Sequence, residues 1–96
     1  MYNDLDPLLH SQLRLTIVSL LMTSSEIDFN AIKDATHATS GNISVQIKKL
    51  QEAGYIKVVK SFKNNYQNTS LKITPVGIEA FENYVESLKQ YIQAGK

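Results

Sequence analysis

Thr39-Ser40-Gly41-Asn42-Ile43-Ser44-Val45-Gln46-Ile47-Lys48-Lys49-Leu50-Gln51-Glu52-Ala53-Gly54-Tyr55-Ile56 reads as a capped helix that stops at a glycine and runs straight into a strand. Thr39 or Ser40 supplies the capping hydroxyl, because a side-chain oxygen there can accept from an unpaired N–H of the first turn. The helix is expected to run to about Ala53, with Gly54 as its left-handed stop. Ile43, Ile47 and Leu50 recur at helical spacing and mark the face turned to a core. At about 100° per residue, Val45, Lys48, Lys49 and Glu52 point roughly the other way, with Asn42, Ser44 and Gln46 between. The outward face is therefore amide, hydroxyl and lysine.

Upstream, Asp28 is a good N-cap for a shorter helix from Phe29 to about Thr36. Ile27 before the cap and Ile32 four residues after it suit a hydrophobic staple. Glu26-Ile27-Asp28 fits a very short strand, and His37-Ala38 a turn. Asp6-Pro7 places a capping acid before a proline, which predicts the start of a first helix carrying Leu9, Leu13, Ile17, Leu20 and Leu21 and ending near Met22-Thr23. Ser24-Ser25 would then be a loop.

Downstream, Tyr55 to Lys60 is β-branched and aromatic, and Ser70 to Thr74 alternates apolar with polar, so the two are expected to pair as strands. The residues between, 61–69, read as a polar loop with a turn at Asn64-Asn65, a pair that tolerates positive φ. Thr74-Pro75 repeats the cap-then-proline signal and opens a last helix. There Ile78, Phe81, Val85, Leu88 and Ile92 are spaced three and four apart, a seam of two heptads. Gly77, Tyr84 and Tyr91 flank it. Ile78 and Phe81 are expected to pack inward. The rest of the seam continues beyond what one small domain can cover.

Ninety-six residues with 43% apolar content make one globular domain, spanning 1–96. The absence of cysteine excludes disulfides, thiolate metal sites and cysteine nucleophiles, and suits a reducing compartment. No signal peptide pattern opens the chain, and Leu13–Met22 is too short and too polar to span a membrane. A cytoplasmic protein is expected. His10 and His37 stand apart from other ligands, so no metal or cofactor is expected. No phosphate loop, nucleophile elbow or carboxylate pair beside a histidine supports an enzyme. Glu79, Glu82 and Glu86 read as a solvated helix face.

The formal charge is only +1, but it is unevenly spread. Residues 33–72 hold seven lysines against Asp34 and Glu52, a balance of +5; the flanks hold three cations against seven acids, a balance of −4. Such asymmetry is a footprint for a polyanion. Two short helices joined by a tight turn form a helix-turn-helix pattern, whose second helix can enter a DNA major groove by its N-terminal half. Asn42 and Gln46 carry amides able to pair with adenine, Val45 can touch a thymine methyl, and Ser40 and Ser44 can donate to phosphate or base. Lys48 and Lys49 lie farther along and suit phosphates. The hairpin offers Lys63, Asn64 and Asn65 to backbone or minor groove, with Lys60 and Tyr66 steadying it. Arg14 is the only arginine, and it suits a structural contact with a carboxylate better than one with DNA. With no arginine in helix or wing, strong guanine reading is not expected: the site is A·T-rich or affinity is modest.

Several pieces together resemble the small winged-helix transcriptional regulators related to the MarR and ArsR groups: Leu5-Asp6-Pro7, His10 to Leu15, Gly41-Asn42-Ile43-Ser44, Lys49 to Ile56, and Ile73 to Gly77. The resemblance covers nearly the whole chain. It implies a winged-helix fold, operator binding by recognition helix and wing, and dimerisation through the terminal helix. Val45 and Gln46 stand where relatives often carry basic or imidazole side chains.

The expected architecture is α+β, mainly α. It comprises a helix-turn-helix at about 29–53, a two-stranded wing at about 55–74 and a long C-terminal dimerisation helix at about 75–94. The expected partners are double-stranded DNA and a second copy, the latter meeting Tyr84, Val85, Leu88, Tyr91 and Ile92; Tyr84 and Tyr91 line that interface or a small cavity beside it. No residue pattern identifies a small-molecule effector. The alternative reading is a winged-helix module that binds protein rather than DNA.

Overall fold

The computed structural model describes residues 4–94, leaving aside the side chains of Lys63 and Ala94. In chain order it contains α1 (Gln12–Ser24), β1 (Glu26–Asp28), α2 (Phe29–Thr36), α3 (Ser40–Glu52), β2 (Ile56–Lys63), β3 (Tyr66–Ile73) and α4 (Pro75–Ala94). The strands form one antiparallel sheet in the order β1-β3-β2. This is a winged helix of mainly α content. Among the described residues, no helix is long and apolar enough to cross a membrane.

The helix-turn-helix is built by its caps. Asp28 Oδ1 accepts from the Ala31 amide at 2.8 Å and starts α2. His37, with φ 58°, ends it in the left-handed region. Thr39 is the cap of α3, its Oγ1 accepting from the Asn42 amide at 3.1 Å, so Ser40 is the first helical residue. At the far end Gly54 has φ +80°, a conformation that strains side-chain-bearing residues. Ile43, Ile47 and Leu50 enter the core with Leu9, Ile17, Val18, Leu21, Ile32, Ile56, Leu71 and Tyr84.

Three expectations are corrected. Asp6-Pro7 does not open α1. It makes a separate turn, in which Asp6 Oδ1 accepts from the Leu8 amide at 2.9 Å and the Asp6 carbonyl accepts from Leu9 and His10. The turn drops Leu9 fully into the core before α1 begins at Gln12. Residues 61–69 are not a loop. The strands run on to Lys63 and resume at Tyr66, leaving only Asn64-Asn65 as the turn, with φ 51° and 67°. Positive φ at both positions is the demand of the tight hairpin turn that matches strand twist, and asparagine meets it. Finally, Ile78 is 36% exposed. Phe81 does pack against the core, with Ala80 and Leu88, but the buried residues of α4 are Gly77, Tyr84 and Ser87, so the covered face is rotated away from the centre of the heptad seam on a helix of about 3.6 residues per turn.

That rotation has a local cause. Thr74 Oγ1 donates to the Gly54 carbonyl at 2.6 Å and accepts from the Gly77 amide at 3.0 Å, while the Thr74 amide donates to the Tyr55 carbonyl. These bonds press the first turn of α4 onto Tyr55. A Cβ added to Gly77 would lie 2.2 Å from the Tyr55 carbonyl oxygen. The Tyr55 hydroxyl in turn donates to Asp6 Oδ2 at 2.5 Å. Burial, then the hydrogen bond and charge of Asp6, push the Tyr55 phenol up to about 12. Stability drawn from this group is complete below its unfolded value near 10 and is lost as pH rises towards 12.

Gly77→Ala is expected to destabilise the fold by about 1–3 kcal/mol despite alanine's better helix propensity, because the clash is with backbone that cannot swing aside. Urea denaturation of the two proteins checks this; equal or greater stability of the variant would contradict the close approach.

Candidate nucleic-acid interface

α3 exposes Ser40, Asn42, Ser44, Val45, Lys48 and Lys49, whereas Gln46 is half-buried. The strand alternation of β2 puts Ile56, Val58, Lys60 and Phe62 on one face, opposite Ile73, Leu71, Thr69 and Gln67 of β3. At its base this face is core: Ile56 and Leu71 are buried. Farther out it becomes one wall of a groove. Ser44, Lys48 and Gln51 of α3 line the other wall, and Val58, Lys60 and Thr69 complete the hairpin side, enclosing ≈ 660 Å³.

The ion pairs among the described residues are Lys72–Glu26 at 3.6 Å and Lys89–Glu86 at 3.5 Å. Among the described residues, neither ion pair involves Lys48, Lys49 or Lys60. Two lysines and two hydroxyl-bearing residues, Ser44 and Thr69, thus converge on a groove open to an anion. The exposed N-terminal half of α3 lies beside it.

The other predicted residues are dispersed differently. Asn64 and Asn65 form the exposed tip of the hairpin. The register pairs Lys63 with Tyr66, on the strand face opposite Lys60 and Phe62, so Tyr66 does not share the groove with Lys60. Tyr66 is 78% exposed; the Lys63 side chain lies outside the described residues. Phe62 is equally exposed, and strand alternation carried past Lys60 is the sequence signal that places it on that face.

Gln46 departs most from expectation. Its Oε1 accepts from Arg14 Nη1 at 2.5 Å, and its Nε2 donates to Asn42 Oδ1 at 2.8 Å. Both ends of the amide are engaged within the protein. Among the described residues Arg14 meets no carboxylate; its Nε donates instead to the Leu8 carbonyl at 2.6 Å. The arginine ties the N-terminal turn and α1 to the outward face of α3. Tyr84, expected at a dimer interface, is buried in its own subunit, with its hydroxyl 3.0 Å from His10 Nδ1. Val85 and Leu88 are half-buried, and Tyr91 and Ile92 are exposed.

A family model for the winged helix DNA-binding domain matches residues 13–92. The chain belongs to that family. An uncharacterised protein of Methanocaldococcus jannaschii is 35% identical over 81 residues, covering 84% of this chain and 88% of that protein. An uncharacterised helix-turn-helix transcriptional regulator of Pyrococcus abyssi is 31% identical over 81 residues, covering 83% of this chain and 54% of the regulator. Among solved structures, a transcriptional regulator homologue from Pyrococcus horikoshii superposes with a TM-score of 0.85 at 28% identity, over 91% of this chain and 86% of the other. A mutant MarR of E. coli complexed with operator DNA shares the fold, with a TM-score of 0.74 at 15% identity, over 91% of this chain and 61% of MarR.

Proposed function

We propose that the protein is a cytoplasmic, homodimeric transcriptional regulator, not an enzyme, that lays α3 in the major groove of duplex DNA. The hairpin rests on the adjacent backbone or minor groove. The observation that carries this reading is the groove between α3 and β2, with Lys48 on one wall and Lys60 on the other, neither ion-paired among the described residues. A sugar–phosphate strand lying there would bring base edges to Ser40, Asn42 and Val45, with Lys49 reaching a neighbouring phosphate. A MarR of the same fold, solved in complex with operator DNA, supports the same partner.

Dimerisation is supported by α4. The seam passes from half-buried Val85 and Leu88 to Tyr91 and Ile92, which are 43% and 62% exposed. A second copy lying antiparallel or crossed over this seam would remove it from water. Tyr84 contributes by anchoring α4 to the N-terminal turn and not by touching the partner.

Salt titration of duplex binding tests the first part. The slope of log affinity against log salt should be clearly negative, and Lys48→Gln with Lys60→Gln should reduce its magnitude by about 2 per subunit, one per lost phosphate contact. Absence of binding at low salt would leave the protein-interaction module as the better reading, and an unchanged slope would remove the two lysines from the interface. Light scattering tests the second part. The protein should scatter as twice its 10.8 kDa, and Ile92→Glu should return it to the single mass with helicity intact. A wild-type monomer at high micromolar concentration would refute the role given to α4.

A further inference from the structure

We propose that Arg14 is a positioning residue for base reading: through Gln46 it sets which end of the Asn42 amide is presented to DNA. The inference rests on the regulator reading above. Arg14 is the only arginine of the chain and does not lie on the exposed face of α3. Its guanidinium is permanently charged and has donors only.

The polarity of the chain of bonds follows from that fact alone. Arg14 Nη1 must find an acceptor, so Gln46 turns Oε1 towards it, at 2.5 Å. The opposite end of the Gln46 amide is then Nε2, which must donate. It meets Asn42 one helical turn earlier, which turns Oδ1 to receive it at 2.8 Å. The end of Asn42 left untied is Nδ2, with two N–H donors. An amide free of this chain would flip to suit either kind of partner; here the flip would place N–H against N–H.

The consequence is a changed expectation for sequence preference. Bidentate adenine reading requires an amide to give a donor and an acceptor side by side. Gln46 is committed at both ends, and the Asn42 oxygen is turned towards Gln46. The outward donors of Asn42 suit acceptor atoms of the major-groove edge, O4 of thymine or O6 and N7 of guanine, and disfavour cytosine, whose N4 offers only donors. Arg14 anchors this order by holding the Leu8 carbonyl with Nε, at 2.6 Å, so that its own position is fixed from the other side.

The test is selection from a random duplex library with the full chain and three variants. Asn42→Ala marks the base position concerned. The wild type should favour thymine or guanine there over cytosine by about tenfold, the size of one good base contact. Arg14→Met keeps the apolar stem and removes the donors; preference at that position should fall to within about twofold while preferences elsewhere and the dimer mass persist. Gln46→Glu keeps a partner for Arg14 but cannot donate to Asn42, which then turns Nδ2 inward and Oδ1 outward. Its preference should move to a donor-bearing edge, cytosine or adenine, which reads the relay even if Arg14→Met fails to fold. Retention of the wild-type preference by Gln46→Glu overturns the relay. So does an Arg14→Met protein that binds all duplexes more weakly by one common factor. A wild type that selects no sequence and binds no duplex overturns the regulator reading, and the relay with it.

Discussion

The junction around Thr74 is the constraint on which the rest of the molecule depends. One hydroxyl joins the end of α3, through the Gly54 carbonyl, to the first turn of α4, through the Gly77 amide. The Thr74 amide closes the same knot on Tyr55. Three elements meet there: the helix that faces DNA in the proposed reading, the first wing strand, and the long helix that carries the apolar seam. Two glycines make it sterically possible. Gly54 takes a left-handed φ, and Gly77 lets one backbone approach another where no Cβ would fit. The angle between α3 and α4 is thereby determined within a few covalent links. In a two-fold dimer that angle would set the spacing of two recognition helices.

Away from the junction, the hairpin turns a core surface into a charged one without a change of face. Ile56 and Leu71 are buried, while Lys60 and Phe62 on the same face stand in water. The transition happens because β2 and β3 are longer than the body that covers them. Where α3 runs alongside, the strand and helix walls hold Lys48 and Lys60 near one another with no carboxylate between. Phosphate binding draws its free energy largely from counterion release, so convergence of a few unpaired lysines matters more than the net charge of +1.

Much of this was legible in the residues. Asp28, Thr39 and Gly54 mark helix ends because each solves a local problem, an unpaired N–H or a left-handed φ, that is independent of distant contacts. Ile43, Ile47 and Leu50 mark a core face because helical periodicity is local too. Other features misled for an equally physical reason. Asp6-Pro7 carries the signal of a helix start, but Asp6 spends its carboxylate on a short turn and on Tyr55. Residues 61–69 are polar because the wing stands in water, not because it lacks strand structure; only the Asn64-Asn65 turn showed locally. Gln46 looked free since nothing in its neighbourhood along the chain reveals a guanidinium 32 positions away.

The sequence by itself determined the fold class, the order of the elements, the caps and the candidate recognition helix, all of which follow from interactions within a few residues. Tertiary structure alone decided which face of α4 is covered, because Gly77 must lie against Tyr55 whatever the heptad pattern prefers. It decided that Lys48 and Lys60 share a groove while Tyr66 turns away, because register sets which strand face each residue occupies. And it decided the fate of the amides of α3, since a donor-only partner from α1 orders Gln46 and Asn42 in turn. Local chemistry states what each side chain can do; the packing of distant elements selects which of those options is left open.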